Sequence, residues 1–276
     1  MTPANSKDVV PGVFSRHAAA YRDRLADAIQ RGEARGRLRI LELLAVRQGA
    51  RVLDLGCGPG TLTHLIRDAV GAGGLVVGVD LAPGMLALAH ADAGPTVVLA
   101  RMDMEQLAFR DGAFHAVASG HSLHFCPDLR RVLEEARRVL GPDGRFAASV
   151  PLPSRRRDLL EDALDGLLPP ATWPADVQET RELLSADDRV RSALLRAGFR
   201  AAIAERVDEV SHYRDPAELV AKSMSWWAFA GRMELLPEEE QRRVQSEALR
   251  RLRQRVGDGP LEIPGASMVM MASRHG

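Results

Sequence analysis

Three aspartates, Asp54, Asp80 and Asp103, each close a short apolar run, and three glycines at alternate positions, Gly56, Gly58 and Gly60, follow the first of them. A strand, a glycine turn and a helix N-terminus make a cradle for a polar ligand, because glycine allows the tight turn and lets backbone atoms reach the ligand. The dinucleotide fingerprint G-x-G-x-x-G wants its third glycine at position 61, where this chain has Thr61. The carboxylate of Asp54 before the turn would repel a pyrophosphate and suits an ammonium or an amide-rich edge. An acid at the end of the second run, Asp80, is placed to accept both hydroxyls of a ribose. Asp103, followed by Met104, suits an adenine, whose amino group donates and whose faces want packing. Each feature has a plain alternative. The glycines also fit an ordinary tight turn, Asp80 a helix cap and Asp103 the cap of the next turn.

The elements that must position these residues alternate between positions 50 and 151. RVLDLG, LVVGVDL (75–81), TVVLARMD (96–103), AFHAVASG (113–120) and RFAASVPL (145–152) read as strands. TLTHLIRDAV, APGMLALAHADA and LRRVLEEARRVL (129–140) read as helices between them, the last stopped by a GPDG turn at 141–144. Strands joined by helical crossovers predict an α/β, Rossmann-like doubly wound sheet covered on both faces.

The period changes after Pro151. Residues 153–186 carry Pro153, Pro169, Pro170 and Pro174 and predict a helical cap or insertion. DDRVRSALLRAGF (187–199) reads as a helix ended by Gly198, and FRAAIAERVDEV (199–210) as a strand. DPAELVAKSMSWWAFAGRMELL (215–236) reads as one bent helix, PEEEQRRVQSEALRRLRQRV (237–256) as another, and SMVMMASR (267–274) as a final strand.

Four of these stretches, VLDLGCGPG, VVGVDLAPGML, RMDMEQLAFRDGAFHAV and LEEARRVLGPDGRF, occur in the order found in class I S-adenosylmethionine-dependent methyltransferases. The chain resembles that family over residues 14–151, and within it is similar to the small-molecule group that includes the ubiquinone/menaquinone-type enzymes. The resemblance implies a seven-stranded sheet of order 3-2-1-4-5-7-6 with an antiparallel last strand. It implies a single domain with an N-terminal helical lid (1–45), a cofactor-binding core (46–152), helical cap insertions (153–186 and 211–258) and the end of the core sheet (187–210 and 259–276). The cofactor would be S-adenosyl-L-methionine, leaving as S-adenosyl-L-homocysteine. Asp54, Gly56, Gly58 and Gly60 would surround its methionine part. Asp80 would hold the ribose, with Leu81 and Met85 beside the adenine, and Asp103 and Met104 would bind the adenine edge and face. Ser119 would sit near the sulfonium. FSRHAAAY (14–21) resembles the family's F-x-x-x-A-x-x-Y lid signature, so Tyr21 would close over the cofactor. His115 stands where relatives usually carry an acid, and no role is attached to it.

The methyl group of such a cofactor sits on a positive sulfur, so the protein must hold a nucleophile in line and exclude water. A base is needed only if the nucleophile must lose a proton. His121 and His124, in GHSLHFCPD after strand four, are the base candidates. Either also reads as a structural loop histidine. His17 and His212 are further candidates for the pocket. The aromatic run SMSWWAFAGRM (223–233) stands out in a chain with 4% aromatics. Trp226, Trp227, Phe229 and Met233 suit an apolar substrate pocket or, alternatively, the packing of a cap helix on the sheet.

Bulk composition bounds the partners. Lys+Arg and Asp+Glu are both 37, so nothing points to nucleic acid or an anionic membrane. Two cysteines, Cys57 and Cys126, exclude a disulfide scaffold. No metal-ligand pattern and no membrane-length apolar run is present. The expectation is a cytoplasmic enzyme, monomer or homodimer, that methylates a small apolar or aromatic metabolite. Non-methyl chemistry on the same fold, such as cyclisation, and a non-catalytic interaction protein are the alternatives.

Overall fold

The run RVLDL forms the central strand because both of its faces are apolar, and Val52, Leu53 and Leu55 lose all solvent contact. The computed structural model describes residues 5–169, 173–224 and 226–275. Pro170 and Ser225 therefore lie outside the described residues.

Three helices come first, α1 (Ser6–Arg16), α2 (Ala18–Gln30) and α3 (Arg35–Leu44). The alternating unit follows as β1 (Arg51–Leu55), α4 (Thr61–Val70), β2 (Leu75–Asp80), α5 (Pro83–Ala91), β3 (Val97–Arg101), β4 (Phe114–Gly120), α6 (Leu129–Val139) and β5 (Leu140–Pro151). Then come α7 (Arg155–Leu164), α8 (Gln178–Leu183), α9 (Asp187–Arg196), β6 (Arg200–Tyr213), α10 (Pro216–Ser223), α11 (Trp227–Met233), α12 (Glu238–Val256) and β7 (Leu261–Ser273).

The seven strands form one sheet of order β3-β2-β1-β4-β5-β7-β6. The first five run parallel, and β7 pairs antiparallel with both β5 and β6. This order places the C-terminal ends of β1, β2, β3 and β4 along one edge, where loops between parallel strands gather ligands.

Each face of the sheet is sealed by its own cluster. Val132, Leu133, Ala136 and Val139 of α6 repeat at helical spacing and meet Phe146, Phe199 and Met270 on one side. Ile40 and Leu44 of α3 and Leu62, Ile66 and Val70 of α4 cover the other. A third cluster belongs to the cap, where Leu160, Leu219, Phe229, Ala248 and Ile263 pack together.

Two local readings of the sequence are corrected. The GPDG segment at 141–144 does not end a helix as a free turn. It lies inside β5, where the register jumps from Phe114↔Leu140 to Ala116↔Arg145, so the extra residues bulge while the strand continues. The stretch 215–236 is not one bent helix. α10 ends at Ser223, and the extended backbone of Trp226 (φ −80°, ψ 144°) caps a separate α11. No helix among the described residues is long and apolar enough to cross a membrane.

Candidate active site

The turn after β1 is built around three glycines with positive φ, each for a different reason. At Gly56 (φ +63°) an added Cβ would lie 2.3 Å from Ser122 Cβ, so glycine is what lets the loop after β4 close against the turn. At Gly58 (φ +56°) no atom lies within 4 Å of an added Cβ, and the position faces the cavity. Gly60 (φ +84°) stands outside the cavity wall. An added Cβ would lie 3.0 Å from His64 Nε2 of α4 and 3.1 Å from Ala89 Cβ of α5. Gly60 thus also serves the packing of α4 and α5.

Asp54 is a buried carboxylate at the base of the site. Its side chain is buried, Oδ2 accepts the Thr63 hydroxyl at 2.7 Å, and Oδ1 has no partner among the described residues. Burial is the largest cause that pushes its pKa up, to about 7. A carboxylate held this way wants a cation. Asp80 uses both oxygens on backbone amides. Gly58 N–H donates to Oδ2 and Ala82 N–H to Oδ1, both at 2.8 Å. It thereby ties the glycine turn to the start of α5 and still lines the cavity. Burial raises its pKa as well.

The cavity over these residues encloses ≈ 960 Å³, counting its open mouth. Leu81, Met85, Asp103, Met104 and Tyr21 line it with Asp54, Gly56, Gly58 and Asp80. Asp103 accepts Glu105 N–H on Oδ1 at 2.9 Å and the ammonium of Lys7, from α1, on Oδ2 at 2.7 Å. Ser119 does not reach the cavity. Its hydroxyl turns inward to the Leu55 carbonyl at 3.1 Å and to Ser122 Oγ at 2.5 Å, because the strand alternation aims it at the sheet neighbour. Ser122 lines the cavity in its place.

A second cavity of ≈ 1670 Å³, again with its mouth, adjoins the first. Phe14, Tyr21, Leu25, Arg37, His121 and Phe125 belong to both walls. His121 sits at this junction with a left-handed backbone (φ +59°), its N–H donating to the Ser149 carbonyl at 2.8 Å and its Nε2 3.0 Å from Ser267 Oγ. A histidine in that conformation is uncommon and is held there by its neighbours. His124 lines only the second cavity, buried against Phe125 and Trp173. Burial, followed by Arg181 and Arg37, lowers its pKa to about 3, so it is neutral and a weak base.

Trp226, Trp227 and Phe229 line the second cavity. Trp227 stacks on Trp173 with ring centres 4.6 Å apart, and Trp226 lies tilted on Phe229 at 6.2 Å. Three expected pocket members are elsewhere. Met233 is buried in the cap cluster. His17 marks the break between α1 and α2 and points to Glu234 at 3.1 Å. His212 pairs with Glu33 at 3.0 Å on the exposed end of β6. His115 accepts Arg51 N–H at 2.9 Å, away from both cavities.

Sequence reasoning missed Arg37, Phe125, Ser122 and Trp173. The type of Trp173 was a signal, as one of three tryptophans. Arg37 carries no such mark, because lysine occurs only at Lys7 and Lys222 and arginine is everywhere.

Comparisons with known proteins bear on the family and the fold. A family profile described as a methyltransferase domain matches residues 53–148, which span β1 to β5. Malonyl-[acyl-carrier protein] O-methyltransferase of Geobacter sulfurreducens is 34% identical over 210 residues, 75% of each chain. Nocamycin O-methyltransferase of Saccharothrix syringae is 32% identical over 271 residues, 90% of this chain and 92% of that one. A structure of Haemonchus contortus phosphoethanolamine N-methyltransferase 2 with phosphomonomethylethanolamine and S-adenosylhomocysteine shares the fold. Its TM-score is 0.54 at 18% identity, covering 87% of this chain and 52% of that one.

Proposed function

The chain belongs to the class I S-adenosylmethionine-dependent methyltransferases, and we propose that it methylates a small apolar or aromatic metabolite held in the chamber behind His121. The observation that carries this reading is the shared wall, where a cradle suited to the cofactor opens directly onto an aromatic chamber.

The residues present fit S-adenosylmethionine. The unpartnered Asp54 Oδ1 is a site for the ammonium of its methionine part, and the open space over Gly58 leaves its backbone reachable. The second lone pairs of Asp80 remain for ribose hydroxyls, and Leu81, Met85 and Met104 offer apolar surface to the adenine. When bound, the cofactor supplies a methyl group already activated by its positive sulfur.

The chain supplies position and dryness. Phe14 of α1 and Tyr21 and Leu25 of α2 lie over the junction, so these two helices act as the lid. Trp173, Trp226, Trp227 and Phe229 grip a flat acceptor and exclude water. Fixing the acceptor in line supplies up to about 7–11 kcal/mol in favourable systems. His121 is the group that takes or orients the acceptor's proton, because it reaches both chambers and lacks the burial that disables His124.

Calorimetry with S-adenosylhomocysteine, followed by transfer from methyl-labelled S-adenosylmethionine to a panel of aromatic and polyketide-like acceptors, tests the reading. Micromolar binding and a labelled product are expected. Failure to bind S-adenosylhomocysteine overturns it.

A further inference from the structure

Helix α1 serves both chambers, and both of its ends are fastened to the cap. Ser6, Lys7, Val10, Pro11 and Phe14 recur at helical spacing and line the cofactor cavity, and Phe14 belongs to the acceptor cavity as well. At the start of the helix, Asp176 Oδ2 accepts both the N–H and the hydroxyl of Ser6, each at 2.9 Å. Ser6 is buried, so this anchor lies out of water. At the other end, Arg16 donates twice to Glu234, at 2.9 and 2.6 Å, and His17 Nε2 lies 3.1 Å from the same carboxylate. A two-point guanidinium–carboxylate contact fixes orientation as well as distance. Next to it, Val13 packs over Gly231 of α11, where an added Cβ would lie 3.5 Å from Val13 Cγ2. Both anchors adjoin the acceptor wall. Asp176 sits in the short turn Ala175–Val177, just after Trp173, and Glu234 follows α11, which begins at Trp227. The cofactor cavity itself takes no lining residue beyond Pro127, so the cap meets it only through other elements.

Resting on the methyltransferase reading, we infer that α1 is a strap shared by the two chambers, so that filling the cofactor cavity firms the acceptor cap and a bound acceptor holds the cofactor in. A ligand beneath α1 gains contacts that exist only while the helix is seated, and the seated helix is the one that grips Asp176 and Glu234. Ligand binding therefore adds to the cost of opening the cap. The effect is reciprocal, because whatever one ligand does to the affinity of the other must run equally in reverse. An acceptor against Trp173 and Trp227 keeps the cap closed on the ends of the helix, and the cofactor then leaves only by breaking both anchors. This sets an order of events. The cofactor enters first and completes the acceptor chamber, and S-adenosylhomocysteine departs after the methylated product.

Amide hydrogen exchange with and without S-adenosylhomocysteine tests the strap and needs no acceptor. The reference is α9, which packs on β6 and β7 away from α1, because general stabilisation would slow it as much as the cap. Relative to α9, exchange in α11 and in residues 175–183 is expected to slow at least about fivefold when S-adenosylhomocysteine binds. Two variants separate the anchors without touching either cavity wall. Glu234→Ala is expected to abolish most of the slowing in α11 and keep it in residues 175–183, and Asp176→Ala to do the reverse. A cap that slows no more than α9 in the unmodified protein overturns the inference, as does a variant that loses the effect at both places or at neither. Absence of any slowing in α1 and the glycine turn would instead mean that S-adenosylhomocysteine does not bind, which counts against the methyltransferase reading, so the two failures are distinguishable.

Discussion

The ammonium of Lys7 lies 2.7 Å from Asp103 Oδ2 and 2.5 Å from Glu105 Oε2, pinning the first helix to the loop after β3. The other lysine of the chain does the same for the second helix, with Lys222 Nζ 2.5 Å from Asp27 Oδ2. Both lysines therefore fasten the N-terminal helices to the body, where a compact ammonium can serve two carboxylates at once.

Lys7→Met removes one fastening. Because the pair is partly exposed, S-adenosylhomocysteine affinity should fall by no more than about fivefold, through a faster off-rate. Added salt should produce the same change in the unmodified protein and little further change in the variant. Stopped-flow measurement of the off-rate at two salt concentrations checks this, and identical rates for the two proteins would refute it.

Asp54 makes both stability and binding depend on pH, in opposite senses. Its pKa rises from 3.8 unfolded to about 7 folded, so the folded state holds the proton more tightly. Its contribution to stability therefore weakens as pH climbs from 3.8 to about 7 and is level above that. The ionised form binds the cofactor ammonium, so affinity for S-adenosylhomocysteine should improve by up to roughly eightfold between pH 6 and 7.5. Asp54→Asn should raise the melting temperature at pH 8 while costing more than about tenfold in affinity. A pH-independent affinity in the unmodified protein would contradict this.

The first two glycines of the turn should respond differently to alanine. Gly56→Ala strikes Ser122 and should destabilise the protein by several kcal/mol, on the order of an overpacked core. Gly58→Ala strikes nothing in the protein and costs only the roughly 1–2 kcal/mol of a left-handed alanine. Its Cβ enters the cavity, so affinity for S-adenosylhomocysteine should fall at least about tenfold with a melting temperature lowered by only a few degrees. Thermal melts with and without S-adenosylhomocysteine separate the two, and equal destabilisation would count against the assignment.

The two histidines should likewise part company. His121→Asn keeps a residue that tolerates the left-handed backbone, yet should lower kcat by about a hundredfold on an acceptor that arrives protonated. His124→Phe keeps the buried ring and should leave kcat within about threefold, since a base with a pKa of about 3 does no proton transfer near neutrality. A matching loss in both variants would return His124 to the chemistry.

The strand and helix alternation of residues 50–151 was legible because apolar runs and glycines sit at regular intervals, and the sheet order came through resemblance. Asp54, Asp80 and Asp103 were legible from one shared relationship, an acid at the end of each of three strands. The wall around the acceptor was not. Arg37 reaches it from α3, Trp173 from a proline-bearing connection and Trp227 from α11, and only the packing of the cap brings them together. Ser119 and Ser122 show the finer limit. Three positions apart, they share the Leu55 carbonyl, and only backbone direction decides which of them also meets the cavity.

The order of the sheet also has a consequence for biosynthesis. β6 has β7 as its one partner, and the 47 residues 214–260 are translated between them. A strand of 14 residues therefore waits on the ribosome with both edges bare until residues 261–273 emerge. Its sequence is suited to the wait, since Glu205, Arg206, Asp208 and Glu209 place charged side chains along the strand and discourage pairing with another nascent chain.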